Sequence, residues 1–159
     1  MTFRKVRLVG EAGIALCLVR LLSRMAPLPR VMGWLHIEPS AQALAHPERE
    51  TLDDLAYYTD RWLSYFPAPA KGNCFPRSLT LYRLARRLGF PVTLYCGIQK
   101  NGQALDGHAW LALNGKAFLE ATRHWEGFAV TYSYPPQKRV DSTNIEARAE
   151  QPQRRAVHS

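Results

Sequence analysis

Residues 72–122 change from a helix-like to a strand-like pattern, and this change restricts the fold of the whole chain. Leucines recur at helical spacing within residues 74–88, and Gly89 and Pro91 then end the helix. Strand-like runs follow, and the Asn-Gly pairs between them are typical of hairpins. The predicted strands are residues 92–98, 107–113, 116–122 and 128–134. The pattern predicts an α+β fold, in which this helix packs on a small antiparallel sheet and further helices precede it.

Cys74 stands at the predicted start of this helix. Asn73 suits the N-cap position, and Pro76 is tolerated in the first turn because its missing N–H would have no intrahelical partner. Unpaired N–H groups and the helix dipole favour a thiolate there, and the same N–H groups can hold an oxyanion. His108 and Glu120 follow on strand-like runs. A cysteine, a histidine and an acid in this order predict a thiol nucleophile, its base and the group that orients the base.

The turn before the third run decides whether Glu120 reaches His108. A tight turn at residues 114–115 directs Glu120 to the opposite face of the sheet. A three-residue loop, residues 113–115 with a left-handed glycine, places Glu120 opposite His108, at about 5 Å between Cβ atoms. A triad with Glu120 therefore predicts the bulged hairpin and excludes the tight turn. Asp106 lies two residues before His108 on the same strand face, and it is the alternative acid.

The order of these features resembles a known superfamily. The residues that carry the likeness are Cys74-x-x-Arg77-Ser78-Leu79, the helix leucines, Gly89-Phe90-Pro91-Val92, Gly97-Ile98 and His108-Ala109-Trp110. Over roughly residues 21–134 the chain resembles the transglutaminase-like cysteine protease superfamily, and most closely its lasso peptide maturation proteases. Those enzymes remove the leader from a precursor peptide. The resemblance implies a papain/transglutaminase-like core with Cys74 as nucleophile, His108 as base and Glu120 as the acid.

The same resemblance implies substrate and partners. The substrate is a lasso precursor peptide, and the product is the peptide without its leader. Residues 1–70 do not resemble a winged-helix leader-binding domain, so a separate leader-binding protein is the implied partner, with a ring-closing lasso cyclase as the second. No cofactor is expected. Two alternatives stay open: a transglutaminase-like acyltransferase with the same triad, and a non-catalytic peptide-binding module in which Cys74 is merely buried.

Composition narrows the remaining function classes. Three cysteines without C-x-x-C spacing disfavour a disulfide framework or a zinc ribbon and indicate a reducing, cytoplasmic location. Cys17 and Cys96 are expected to be small buried residues. The formal net charge of +8 is either a solvated surface or a site for an acidic peptide, nucleic acid or anionic membrane. The basic residues are not interleaved with a base-stacking motif, so no nucleic-acid partner is expected.

Residues 1–27 have basic residues before an apolar run, but Glu11 and Arg20 interrupt the run. Neither a signal peptide nor an integral membrane segment is therefore expected. A stripe at helical spacing predicts instead a helix that packs on the core or on a partner, with peripheral contact to a membrane as the alternative. The residues of the stripe are Ile14, Leu18, Leu21, Leu22 and Met25.

Domain organisation is predicted to be simple. A helix from the N-cap Thr51 carries an aromatic stripe, Tyr58, Trp62 and Tyr65, and is expected to pack beside the Cys74 helix. Residues 1–136 are predicted to form one domain, with a helical part at 1–70 and a catalytic core at 71–136. Residues 137–159 are polar and charged, which predicts a flexible tail.

Overall fold

The structure is a computed structural model that describes residues 3–67, 72–120 and 124–136. The predicted flexible tail, residues 137–159, lies outside these residues. The elements are α1 (Phe3–Met25), α2 (Leu28–Leu35), α3 (Ala41–Ala45), α4 (Arg49–Tyr65), α5 (Cys74–Arg87), β1 (Thr93–Asn101), β2 (Ala104–Leu113), β3 (Lys116–Phe118), a 3-10 helix (His124–Gly127) and β4 (Ala129–Tyr134).

The strands form one antiparallel sheet in the order β3-β2-β1-β4, and α5 packs on it. Strands β1 and β2 pair up to Asn101 and Ala104, so their turn consists of two residues, beginning with Gly102 at a φ of +61°. A glycine at the first central position is typical of a type II′ turn. The predicted α+β class, with a helix on a small antiparallel sheet after N-terminal helices, is confirmed.

Helix α1 buries a different face from the predicted one. Ile14 is 72% exposed and Met25 is 69% exposed. The buried residues are Leu8, Ala12, Gly13, Ala15, Leu16 and Val19. Apolar residues surround most of α1, so periodicity alone did not separate the faces, and the small residues permit a close approach of α4. A Cβ on Gly13 would lie 2.9 Å from the Trp62 ring, and Trp62 Nε1 donates to the Val9 carbonyl at 2.8 Å.

Helix α4 begins at Arg49, earlier than the predicted N-cap Thr51. Of the aromatic stripe, Tyr58 and Trp62 pack against the core, whereas Tyr65 is 69% exposed. The helix packs against both α1 and α5. The expectation that α4 lies beside the Cys74 helix is confirmed.

Gly89 ends α5 as the sequence indicates. It follows the C-cap residue Leu88 and has a φ of +91°, a conformation that favours glycine. A Cβ at Gly89 would lie 1.9 Å from the carbonyl oxygen of Ala43, so the short helix α3 can approach the end of α5 only where glycine stands.

One hydrophobic core connects the helices to the sheet, from Leu8 and Val19 of α1 to Leu111 and Phe118 of the strands. The boundaries of the predicted domain, residues 1–136, and its division at residue 70 stay predictions. Among the helices of the described residues, none is long and apolar enough to cross a membrane.

Candidate active site

Cys74 is the first residue of α5, as predicted. Asn73 occupies the N-cap position, but its side chain makes no capping hydrogen bond. The reason is its backbone, whose φ of −96° and ψ of 2° differ from the extended conformation that brings a cap side chain to the first-turn N–H groups. Arg77 N–H donates instead to the Asn73 carbonyl at 3.1 Å. The cap side chain therefore does not occupy the N–H groups around the thiol.

His108 lies on β2 directly opposite Gly97 of β1. Its ring stacks on Trp110, with centroids 5.9 Å apart, and contacts the Phe128 ring at 5.4 Å. A Cβ on Gly97 would lie 2.9 Å from the Ala129 carbonyl and 3.0 Å from Phe128 Cβ, so glycine permits these aromatic rings to surround the imidazole. The packing fixes the plane of the histidine ring.

The predicted three-residue loop between β2 and β3 is wrong. Leu113 pairs with Lys116, so the turn consists of Asn114 and Gly115 alone. Both residues have positive φ, 52° and 76°, as a type I′ turn requires. This two-residue turn matches the right-handed twist of the strands, and the Asn-Gly sequence favours it.

The prediction that a tight turn excludes Glu120 is also wrong. Glu120 Oε2 lies 3.8 Å from His108 Nε2. Strand β3 ends at Phe118, and Leu119 adopts a φ of +60°. Because alternation of side chains holds only within a strand, the left-handed conformation of Leu119 ends that alternation, and Glu120 lies towards the histidine.

Asp106, the alternative acid, lies away from the site. It is an exposed residue of β2 opposite Gln99, and Asn101 Nδ2 donates to its Oδ2 at 3.1 Å. Of the two carboxylates weighed from the sequence, the structure brings Glu120 to His108.

Cys74, His108 and Glu120 line a single cavity of about 240 Å³. The other lining residues are Asp60, Arg77, Ser78 and Ala109. Cys74 comes from the helix start, His108 from the sheet and Glu120 from the segment after β3, so the fold gathers the three predicted residues from separate elements. Among the described residues, no group of three or more His, Cys, Asp and Glu side chains is arranged to hold a metal ion.

Cys74 and His108 also line a larger cleft of about 370 Å³. We call it the apolar cleft. Its side chains come from Leu28, Phe75, Pro76, Cys96, Ile98 and Thr131. Among the described residues, the titratable side chains that line it are Cys74, Cys96 and His108, and none of the lining residues is Asp, Glu, Lys or Arg. The arrangement offers an uncharged binding surface directly beside the thiol.

The two other cysteines differ from the expectation that both are buried. Cys17 is exposed, and Cys96 is half-buried in the apolar cleft. Burial, together with the neighbouring charge of Cys74, raises the pKa of Cys96 to about 11. Cys96 is therefore a neutral thiol at neutral pH.

Charges around Glu120 act in opposite directions. Burial raises the pKa of Glu120 above its ordinary value, Arg77 lowers it and Asp60 raises it further. Burial also disfavours the charge on Arg77, but hydrogen bonds and the charges of Asp60 and Glu120 raise the pKa of the guanidinium overall. Arg77 thus opposes the rise in the pKa of Glu120, because its positive charge favours the ionised carboxylate next to His108.

A family model described as the transglutaminase-like superfamily matches residues 15–133. The chain belongs to the transglutaminase-like superfamily. Comparisons with curated proteins and with solved structures gave no significant match.

This transglutaminase-like domain contains site residues that sequence reasoning missed or left unassigned. Asp60 on α4 was not predicted as a site residue. It could have been found as an acidic residue in a helix that was expected to pack beside the Cys74 helix, which contains Arg77. Ser78 Oγ donates to the Ala109 carbonyl at 2.8 Å, beyond the last pair of β2 with β3. This bond fixes α5 to the strand next to His108. Strand β3 pairs with β2 only at residues 111–113, so it does not cover Ala109, and the short length of β3 was not predicted.

Proposed function

We propose that this protein is a cysteine peptidase that removes the leader from a lasso peptide precursor. The observation that carries the proposal is the cavity shared by Cys74, His108 and Glu120 in a transglutaminase-like fold. The ordered likeness to lasso maturation proteases supplies the substrate class. Cys74 is the nucleophile, His108 the general base and acid, and Glu120 the group that orients the imidazole.

The first step is the attack of the thiol on the scissile peptide bond, which gives the tetrahedral intermediate. His108 Nε2 faces Glu120, so Nδ1 is the nitrogen that takes the Cys74 proton. The thiolate then attacks the scissile carbonyl, and the backbone N–H groups at the start of α5 stabilise the oxyanion. Glu120 stabilises the imidazolium that forms.

The second step releases the product. The imidazolium gives its proton to the departing amine, and the C–N bond breaks as the thioester forms. His108 then takes a proton from water, hydroxide adds to the thioester, and the C–S bond breaks to give a carboxylic acid and the free thiol. Atoms and charges balance without a cofactor.

The apolar cleft supports a substrate segment with uncharged side chains next to the scissile bond. Among the described residues no Asp, Glu, Lys or Arg lines the cleft, so a charged substrate side chain buried there away from His108 would cost several kcal/mol. A leader-binding protein and a lasso cyclase are the proposed partners. Of the described residues before position 68, all regular elements are helices, which supports a separate protein for leader binding.

Mass spectrometry of a matching precursor peptide tests the function. The full chain is incubated with the precursor, with and without a leader-binding partner, and the expected products are the intact leader and core. Cys74→Ala is expected to lower cleavage by at least about 10³-fold, the usual scale for removal of a nucleophile. Cys17→Ala, an exposed cysteine far along the chain from the site, is the matched control and is expected to cleave normally. A fully active Cys74→Ala protein would refute the assignment.

The same experiment separates hydrolysis from acyl transfer. An added primary amine gives an amide of higher mass if the thioester is passed to the amine, whereas a peptidase gives the free carboxylic acid. An amide as the main product at millimolar amine would replace the peptidase proposal with the acyltransferase alternative.

A further inference from the structure

Two charged side chains extend the contacts of the proposed triad into the helical layer. Arg77 Nε donates to Asp60 Oδ1 at 2.6 Å, and Nη2 donates to Oδ2 at 3.1 Å. The remaining guanidinium nitrogen, Nη1, lies 3.6 Å from Glu120 Oε1. The other oxygen of Glu120 is the one that faces His108. The order of contacts is therefore Asp60, Arg77, Glu120, His108.

We infer that Arg77, held by Asp60, is a positioning residue that keeps Glu120 ionised and directed at His108. This inference rests on the proposed function, since the pair acts on the thiol through the histidine. Its consequence is that the acidic limit of catalysis depends on a helix–helix contact outside the triad.

Burial makes the arginine necessary. The Glu120 side chain is only 13% exposed and that of Arg77 is 22% exposed. A carboxylate with little access to water stays charged only where an opposite charge or hydrogen bonds stabilise it. The charged or titratable groups that face Glu120 are Asp60 from α4, Cys74 and Arg77 from α5, and His108 from β2. Of the described residues that line this cavity, Arg77 is the one that is positive at every relevant pH.

The planar guanidinium explains why the pair fixes orientation as well as charge. Asp60 binds two nitrogens of the fork, which sets the plane of the group and the place of Nη1. The 3.6 Å and 3.8 Å contacts of Glu120 exceed ordinary hydrogen-bond lengths, so Arg77 acts on the carboxylate mainly through charge and steric placement. A lysine would retain the charge and lose the two-point attachment.

Alkylation of Cys74 tests the inference without a substrate. The full chain is treated with iodoacetamide at pH 4 to 9, and the rate at each cysteine is read by peptide mass spectrometry. Arg77→Gln is expected to move the acidic limb to higher pH and to slow alkylation at pH 6 by about threefold to tenfold, since one pH unit is a factor of ten in ionisation. Arg77→Lys is expected to restore part of the rate. Arg83→Gln on the same helix, which lines neither the cavity nor the apolar cleft, is the control and is expected to match the parent protein.

A double substitution separates positioning from a direct effect of charge on the thiol. If Arg77 acts through Glu120, Arg77→Gln has no further effect in a Glu120→Gln background. An equal slowing in both backgrounds overturns the inference. If Arg77→Gln does not fold, Arg77→Lys serves instead. If Arg77→Lys shifts the pH profile of Cys74 alkylation only when Glu120 is present, the positioning role of Arg77 is supported. If Arg77→Lys leaves that profile unshifted, the positioning role is contradicted.

The outcome for the parent protein keeps the two proposals apart. If Cys74 of the parent reacts no faster than the exposed Cys17 at pH 6, the thiol is not activated and the proposed function fails. If Cys74 reacts rapidly and Arg77→Gln leaves its pH profile unchanged, the peptidase proposal stands and the role of Arg77 is wrong.

Discussion

Glu120 sits in a position where burial and function oppose each other. Burial raises its pKa, whereas the proposed mechanism needs its ionised form beside the imidazolium. Arg77 reduces this conflict but does not remove it. Glu120 is therefore a site where a neutral side chain of the same shape gains stability and loses activity.

The first prediction concerns the pH dependence of stability. Because the pKa of Glu120 is higher in the folded chain than its ordinary value of 4.5, its contribution is fully present below that value and is lost as pH rises through the folded pKa. The free energy of unfolding of the parent minus that of Glu120→Gln should therefore fall from pH 4 towards neutral pH. Urea unfolding at one-unit intervals measures it.

Glu50→Gln is the control for this series, because Glu50 is an exposed residue of α4. Glu50 lies in the first turn of α4, where a carboxylate is favoured, so its difference from the parent should not fall as pH rises. A difference that rises with pH at Glu120 would show that the carboxylate is stabilised, and not penalised, by its surroundings.

The second prediction concerns the three thiols. With a pKa of about 11, Cys96 has a thiolate fraction on the order of 10⁻⁴ at pH 7, so iodoacetamide should label it slowest. Cys74 should react faster than the exposed Cys17 if the proposed base acts on it. Peptide mapping after brief labelling gives all three rates from one sample. Rapid labelling of Cys96 would contradict its burial.

Residue types and their order were enough to choose three residues that the structure brings to one cavity, but not to predict the path of the chain to Glu120. The prediction treated residues 116–122 as one strand, in which alternation decides orientation. Leu119, a residue that rarely adopts positive φ, ends that alternation. The contact of Asp60 with Arg77 was not predicted for a different reason, because it depends on how α4 and α5 cross.

Helices and strands were predictable where a sequence pattern was compatible with only one local structure. The limits of α5 and the existence of the two hairpins followed from Asn-Gly and Gly-x-Pro signals, which act locally, whereas the predicted three-residue loop of the second hairpin was wrong. The buried face of α1 was not predictable in this way, because apolar residues lie on most of its circumference. Tertiary packing against α4 selected the face with alanine and glycine.

The third prediction tests that choice of face. Leu16 is fully buried, and Leu16→Ala is expected to lower the free energy of unfolding by about 2 to 5 kcal/mol. Ile14 belongs to the originally predicted stripe but is 72% exposed, so Ile14→Ala should change stability by about 0.5 kcal/mol or less. Denaturant unfolding of both variants measures the contrast. Equal losses would mean that α1 packs through the other face.

The fourth prediction concerns the sheet beneath the imidazole. Gly97→Ala would place a methyl group 2.9 Å from the Ala129 carbonyl, so β1 and β4 must separate, at a cost of about 1 to 3 kcal/mol. The aromatic rings around His108 would move with them, and cleavage should fall. Gly107→Ala is the control for stability, because its Cβ would meet only the Gly97 carbonyl at 4.0 Å. Equal stability of the two variants would contradict the close packing at Gly97.

At the scale of the molecule, the fold places the nucleophile and the base in different layers. The helix start supplies Cys74, and the sheet supplies His108, while one core holds the layers together. The pattern along the chain predicted an α+β fold with α4 beside α5, yet the packing of α1 against both of these helices was beyond local patterns. Long-range contacts, such as Trp62 with Gly13, depend on shape and not on periodicity.

The fifth prediction concerns the segment after the sheet. A chain that ends at Pro136 retains every residue of the hydrophobic core cluster. It is expected to unfold within about 2 °C of the full chain, since the polar and charged composition of residues 137–159 predicts that they add little to the stability of the fold. Circular dichroism during heating measures the unfolding temperatures of the full and the shortened chain. A loss of more than about 5 °C would assign residues 137–159 to the folded domain.

The contact between Asp60 and Arg77 ties the chemistry to the assembly of the chain. A nascent or damaged molecule in which α4 has not packed against α5 retains Cys74 but lacks the contact of Asp60 with Arg77 that positions Glu120. Under the proposed mechanism such a molecule is a weak nucleophile at mildly acidic pH. Peptidase activity would then appear only once the tertiary structure is complete, and incompletely folded molecules would cleave few other peptides.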